Sequence, residues 1–501
     1  MRADRVSGPA TEKEEPVERR LVGIDLDIAS AHTVRVLRGD GGEVCRRRAY
    51  PMVASLTEVE RAALAGAPAG TRLEVVIEPT GAAWLPIAVF FIPRGHSVFR
   101  VSLAKAADLR RFFSRHAKSN GIDADTLARL PLVDPAGLRP LRLAERPEQA
   151  ALDRRVRATD RLTRAGAEHK RRIKDLSRQL MPTAPLAGDL GAADLAVLER
   201  YADPNALLRV GQSRLSTLIA TASNHHLGAE RAEAWRAAAA DAVELYGPHP
   251  AVAYLDLAAE VATEVRLLHA VQRELAGHAA ERENAYRYTD PAALARSLPG
   301  LAEVGGPALT ACIGDPSRFR SGPAFRSFTG LAPRASETGQ TDRKGQPMSK
   351  AGSSLLRTTL VRAADTARKL DPQLARIYHA QMTERGKDHL GANCVVAAHL
   401  AERAWAVLTR GMPYVICDVD GTPVTPAQAK TIIAQRYTVS AEVRARRRSR
   451  KTTRAGKAPH QVLTGHVSDV RARSAVTRRP SPPASSAAPR TGVKTAPATQ
   501  R

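Results

Sequence analysis

Two short apolar runs, each closed by a carboxylate, constrain this chain more than any other feature. Val22-Gly23-Ile24 ends on Asp25, and Leu73-Glu74-Val75-Val76-Ile77 ends on Glu78. Apolar runs of this length read as buried strands, so each strand delivers an acid at its C-terminal end. Neighbouring strands lie about 5 Å apart, and acids at their matching ends can share one divalent cation. A third acidic cluster, residues 118–128, reads as the start of a helix. There Asn120 and Asp123 lie on one face, as i and i+3 neighbours do.

The surrounding pattern extends this frame. Residues 21–26, 32–37 and 42–49 read as three strands of a meander, with Arg38-Gly39-Asp40-Gly41-Gly42 as the turn between the last two. A helix over 56–65, a strand over 73–77, a helix over 82–91 and a strand over 97–101 follow. Three antiparallel strands followed by alternating helices and strands predict a ribonuclease-H-like α/β domain over 21–140. Residues 1–20 are polar and read as flexible.

From 141 to 290 the chain is rich in Ala, Leu, Arg and Glu, with helical stretches over 152–180 and 252–279. Apolar residues recur every three or four positions (Val156, Leu162, Ile173, Leu176, Leu180), which fits either an intramolecular bundle or a coiled coil pairing two subunits. A mainly helical unit is expected over 291–440, opening on the glycine-dense turn Leu298-Pro299-Gly300-Leu301-Ala302-Glu303-Val304-Gly305-Gly306-Pro307. Such a turn can present backbone N–H groups to a phosphate, and an ordinary tight helix connection has the same composition. Beyond it, residues 328–339 form a loop with two hydroxyls, Ser336 and Thr338. Lys344, Lys350, Arg357 and Arg362 follow, three of them on a helix expected to open near Ser349. A hydroxyl among phosphate-binding cations suits a nucleophile that attacks phosphorus; a solvated loop with an N-cap serine has the same residues.

Charge narrows the partner. With 76 Lys+Arg against 51 Asp+Glu the net charge is +25, which points to a polyanion, nucleic acid before a membrane surface. The longest apolar segment, 85–92, is interrupted by Pro86 and is far short of the roughly 20 residues a spanning helix needs. The charged N-terminus lacks the apolar core of a signal peptide, so the expected location is the cytoplasm, at the nucleoid. Four cysteines (Cys45, Cys312, Cys394, Cys417) without short spacings argue against a zinc site or a disulfide framework and read as buried thiols. Residues 441–501 carry fifteen Lys+Arg against two Asp+Glu in a Pro-, Ser- and Ala-rich context. That composition predicts a disordered basic tail, either a nucleic-acid arm or a solubilising extension.

In this order and spacing, Gly23-Ile24-Asp25, Ile77-Glu78-Pro79-Thr80-Gly81, the 118–128 cluster, Pro299-Gly300, Gly330-Leu331-Ala332-Pro333 and Ser349-Lys350-Ala351-Gly352 resemble the DEDD transposases of the insertion sequence 110 family. The resemblance covers about 21–140 and 295–385. It implies a RuvC-like N-terminal domain whose four acids bind magnesium (Mg2+) and a C-terminal transposase domain whose serine attacks DNA phosphorus, the two acting as a composite site. It further implies DNA partners (element ends and target), a homo-dimer or tetramer and, in some members, a structured guide RNA.

Matched by position, the family's first, second and fourth acids are Asp25, Glu78 and Asp123. The third is Asn120, an amide in place of the usual carboxylate, with Asp125 as a reserve ligand. The family's serine corresponds to Thr338, with Ser336 two residues earlier, so either hydroxyl is a candidate nucleophile. Lys118, Arg334, Lys344, Lys350 and Arg357 are the matching candidates for nucleic-acid contact. Two other readings stay open: a resolvase-like metal nuclease with water as nucleophile, and an inactive nucleic-acid-binding remnant.

Overall fold

The computed structural model describes residues 18–78, 81–113, 119–186, 188–249, 251–334, 337–338, 341–342 and 346–447. Lys118, Ser336, Lys344, residues 1–17 of the expected flexible segment and residues 448–501 of the expected basic tail lie outside these residues. The chain divides into two compact units between Ala150 and Ala151.

The N-terminal unit is built on a five-stranded sheet. Its elements are β1 (Arg20–Asp25), β2 (His32–Arg38), β3 (Glu43–Ala49), α1 (Val53–Leu64), β4 (Leu73–Ile77), α2 (Trp84–Phe91), β5 (Ser97–Arg100), α3 (Leu103–Phe113) and α4 (Asn120–Val133). The strand order is β3-β2-β1-β4-β5. β1, β2 and β3 pair antiparallel, whereas β1–β4 and β4–β5 pair parallel. The mixed sheet with helical crossovers is compatible with a ribonuclease-H-like layout.

Period-2 alternation sorts the strand side chains between two faces. Val22, Ile24, Val75 and Ile77 bury against Leu56, Val59, Ile87 and Phe91 of α1 and α2. Leu21 and Val76 turn the other way, into clusters with Ala128, Leu127 and Leu130 of α4. Gly23 lies on that second face, and a Cβ there would come within 2.0 Å of the Ala124 carbonyl oxygen and 2.4 Å of the Ala128 nitrogen. The missing side chain lets the α4 backbone lie directly on β1.

The second unit is helical. Two long helices, α5 (Pro147–Leu180) and α10 (Tyr254–Thr289), run through it, and α6–α9 (Ala192–Tyr201, Pro204–Arg209, Gln212–Ala222, Ala229–Tyr246) form a core around Trp235 with the C-terminal end of α5 and the N-terminal half of α10. Ile173, Leu176 and Leu180 of the predicted apolar periodicity pack into this core, and Val156 into a second one. The periodic stripe is therefore used within the chain. The second core is formed by α11 (Leu294–Ser297), α12 (Gly305–Ile313), α13 (Gly322–Thr329), α14 (Ser354–Ala367), α15 (Pro372–Thr383) and α16 (His389–Arg410), with β6 (Glu337–Thr338), β7 (Thr341–Asp342) and α17 (Pro426–Arg436) completing the unit.

Three expectations need correction here. The folded part does not stop at residue 440: residues 441–447 are helical, and buried Arg447 donates from Nε to the Met382 carbonyl at 3.2 Å. α14 opens at Ser354 on the Ser353 cap, which accepts from the Leu356 amide at 3.2 Å, rather than near Ser349. The four cysteines are free and half-buried rather than fully buried. Among the described residues no helix is long and apolar enough to cross a membrane.

Candidate active site

Register brings the first two acids to one place. Ile24 pairs with Ile77 in the parallel β1–β4 ladder, so Asp25 and Glu78 are the next residues on adjacent strands. The alternation that gives Gly23 and Val76 to the α4 face gives Asp25 and Glu78 to it as well. Asp123 reaches the same ground because Ala124, its neighbour, is the residue whose carbonyl rests on Gly23. The first turn of α4 is fixed by Ser119, an extended N-cap whose hydroxyl accepts from the Ile122 amide at 3.3 Å.

A cation stands among these acids. Arg110, on α3, donates from Nη1 to Asp123 Oδ1 at 2.9 Å, and both side chains are largely buried, 23% and 13% exposed. The hydrogen bond to Asp123, with further attraction from Glu78 and Asp25, raises the Arg110 guanidinium above its ordinary range despite the opposing cost of burial. Asp25, Glu78 and Asp123 thus act on one guanidinium. Asn120 is exposed, one helical turn before Asp123.

Asp125 does not join them. Its carboxylate pairs with Arg129 Nε at 2.7 Å and faces Arg35 Nε of β2 at 3.6 Å. Because α4 begins at Asn120 rather than later, residue 125 falls on the β2 side, among Arg35 and Arg129. Among the described residues no three Asp, Glu, His or Cys side chains converge as closely as metal ligands do. The donor chemistry of Asp25, Glu78 and Asp123 nevertheless fits a hard divalent cation, since all are carboxylates gathered on one positive charge.

Sequence reasoning missed Arg110. The available signal was Ala106, buried one turn earlier and therefore on the same inward face of α3. It also missed two cationic concavities. One, of about 270 Å³, lies on the Asp125 side of α4 and is lined by Arg35, Arg46, Arg47, Arg48 and Gly121. The other, of about 570 Å³, lies in the helical unit and is lined by Arg154, Arg155, Arg157, Arg161 and His278 of α5 and α10.

The hydroxyl loop of the second unit is a β-hairpin. Its stem pairs 330–334 with 347–350: the Arg334 amide donates to Pro347 O at 3.0 Å, Ser349 to Ala332 O at 2.8 Å and Lys350 to Gly330 O at 3.2 Å. Near its tip Glu337 pairs with Asp342 and Thr338 with Thr341. Thr338 is described in its backbone only. Gly330 and Gly352 close the stem at positive φ, and a Cβ on Gly352 would lie 2.1 Å from the Phe328 carbonyl oxygen. Lys350 takes the left-handed conformation (φ 56°), a costly state for a residue with a side chain.

Of the predicted cations, Arg334, Lys350 and Arg362 are exposed. Arg357 is partly committed: its Nη1 donates to the Lys350 carbonyl at 3.1 Å, bracing the stem. The glycine turn at 298–307 joins α11 to α12. Gly300 has φ 81° and its Cα faces the Ala363 carbonyl, 2.3 Å from where a Cβ would be, while the Gly306 amide is spent on Ala302 O at 2.9 Å.

Comparison with known proteins agrees with this layout. A DEDD transposase model matches residues 22–182, and the model described as "Transposase IS116/IS110/IS902 family" matches residues 292–379. The chain belongs to this family. Its similarity to the insertion element IS116 uncharacterized 44.8 kDa protein of Streptomyces clavuligerus is 28% identity over 241 residues, covering 47% of this chain and 58% of that protein. Against the insertion element IS110 uncharacterized 43.6 kDa protein of Streptomyces coelicolor it is 26% over 354 residues, 69% of this chain and 84% of the relative. A probable family 20 transposase of Pseudomonas aeruginosa is 32% identical over 127 residues, 24% of this chain and 35% of that one. Membership in a DEDD family implies a divalent metal.

Proposed function

We propose that the chain is a DNA transposase that cuts and rejoins strands to move an insertion element, with Asp25, Glu78 and Asp123 as ligands of Mg2+. The observation that carries the reading is the register of the sheet: Asp25 and Glu78 follow the paired residues Ile24 and Ile77 on adjacent parallel strands, on the face that α4 covers and where Asp123 is ion-paired to Arg110. Asn120 is a fourth, neutral ligand from its carbonyl oxygen. The residues named are those of a RuvC-like domain over 21–140, with a helical region over 141–290 and a transposase domain that runs from 291 to at least residue 447.

Within this reading the hydroxyl of Ser336 or Thr338 attacks phosphorus. A bond forms between its oxygen and phosphorus, the bond from phosphorus to one sugar oxygen breaks, and the hydroxyl proton leaves as the departing oxygen gains one. Rejoining runs the exchange in reverse with a second strand end. Asp25, Glu78 and Asp123 would hold Mg2+, and the ion when bound would supply Lewis-acid stabilisation of charge on a phosphate. The acids hold the cation, and the hairpin stem, braced by Arg357, holds the hydroxyl. Arg334, Lys350, the residues matching Lys118 and Lys344, and the two arginine-lined concavities bind the phosphate backbone of DNA or of a guide RNA, with affinity that falls steeply with salt.

The test is recombination between joined element ends and a target in cells, with wild type, Asp25→Asn, Ser336→Ala and Thr338→Ala. Loss in Asp25→Asn and in one hydroxyl variant, with a covalent protein–DNA adduct absent from that variant, is the expected outcome. Strand cleavage unchanged in the double hydroxyl variant would instead favour water as nucleophile. Salt-sensitive binding without any metal-dependent cleavage would favour a binding-only remnant.

A further inference from the structure

Arg110 calls for a role of its own. A guanidinium cannot lose its charge at any pH a protein tolerates, and it offers donors in a fixed fork. Here it is placed by α3 against Asp123 at 2.9 Å, with both partners mostly withdrawn from solvent. Asp25 and Glu78 lie at matching ends of paired strands on the face that α4 covers. Carboxylates placed on one face of a sheet repel one another, and a cation paired with one of them offsets that repulsion. A divalent cation could do this, and so does Arg110.

We propose that Arg110 is the internal counter-cation of the acid set: it occupies the carboxylates until a divalent cation displaces it, and so sets the metal concentration at which the site loads. The inference rests on the reading of Asp25, Glu78 and Asp123 as metal ligands. The attraction of Glu78 and Asp25 for the same guanidinium supports it, because the charge serves the set and not Asp123 alone. A surface ion pair would be screened and nearly neutral in energy, whereas a pair at this degree of burial competes measurably with an incoming ion.

The alternative role for Arg110 is to orient Asp123 as a ligand, and the two roles predict opposite signs. Removing a competitor tightens metal binding; removing a positioning group weakens it. The experiment is a calorimetric titration of the full chain with MgCl2, without DNA, for wild type, Arg110→Gln, Arg110→Lys and Glu78→Gln. Arg110→Gln is expected to half-saturate at roughly tenfold lower Mg2+ than wild type, the scale of one buried charge interaction. Arg110→Lys, which keeps the charge and loses the fork, is expected about threefold tighter than wild type, and keeps the test alive if the glutamine variant does not fold. Affinity unchanged or weaker in both arginine variants overturns the proposal while leaving the ligand assignment intact. Absence of saturable binding in wild type and in both arginine variants overturns the ligand assignment and the proposal with it. Weakened binding in Glu78→Gln identifies the titrated site as this one.

Discussion

The acid set of the N-terminal unit and the hydroxyl hairpin of the C-terminal unit are supported in opposite ways. Asp25 and Glu78 close buried strands, and the backbone that carries them is fixed by a ladder on both sides of β1 and β4. Thr338 lies near the tip of a hairpin whose stem rests on three main-chain hydrogen bonds and two glycines at positive φ. One set of groups is held by a core and the other by a narrow stem. Ligands that must converge on a small ion gain from the first kind of support, and a nucleophile that must meet a large, variable substrate gains from the second.

Substitutions can break this contrast. The largest effect is expected at Gly23→Val, because the added side chain would meet the Ala124 carbonyl and Ala128 amide, backbone atoms of α4 that cannot move aside. The N-terminal unit is expected to lose at least about 3 kcal/mol in urea denaturation, with its metal site lost as well. Gly352→Ala is expected to cost less overall, about 2 kcal/mol, yet to abolish recombination, since it disturbs the hairpin stem at Phe328. Equal losses of stability at both glycines would remove the contrast.

A smaller effect sharpens it within the helical unit. Glu283 of α10 is drawn down from an ordinary 4.5 to about 2, first by its hydrogen bonds from Arg296, which joins α10 to α11. A depressed carboxylate contributes stability that is complete above its unfolded value and is lost as pH falls through the folded one. Glu283→Gln is therefore expected to be less stable than wild type by about 1–2 kcal/mol at pH 7, allowing for partial solvent exposure, with the gap closing between pH 4.5 and 2. Chemical denaturation at a series of pH values measures it. Smallest are the helix caps: Ser119→Ala and Ser353→Ala are each expected to cost about 1 kcal/mol. The first should also lower Mg2+ affinity, because Ser119 fixes the turn that carries Asp123.

How far the sequence could be read follows the same division. The two central strands were visible because residues 21–24 and 73–77 are short apolar runs, and burial on both faces of β1 and β4 requires that composition. The acids at the strand ends were legible for the same reason. Asp123 and Asp125 look alike in sequence because they stand two apart on one helix, and the seating of Ala124 on Gly23 sets which face of α4 each one occupies. Arg110 was hidden among the cations of α3, where composition cannot tell an inward guanidinium from an outward one. The hairpin read as a loop because strands of two residues carry no period. Lys350 at positive φ and the Arg357 brace are products of that stem and have no local signature.

We propose that Asp123 serves the metal and Asp125 does not, although they stand two residues apart on one helix. It is tested most directly by Mg2+-dependent cleavage of element-end DNA by Asp123→Asn and Asp125→Asn in parallel. Loss of cleavage in Asp123→Asn, with Asp125→Asn within about threefold of wild type as for a surface ion pair, is the predicted result. Cleavage that survives in Asp123→Asn and vanishes in Asp125→Asn would contradict it.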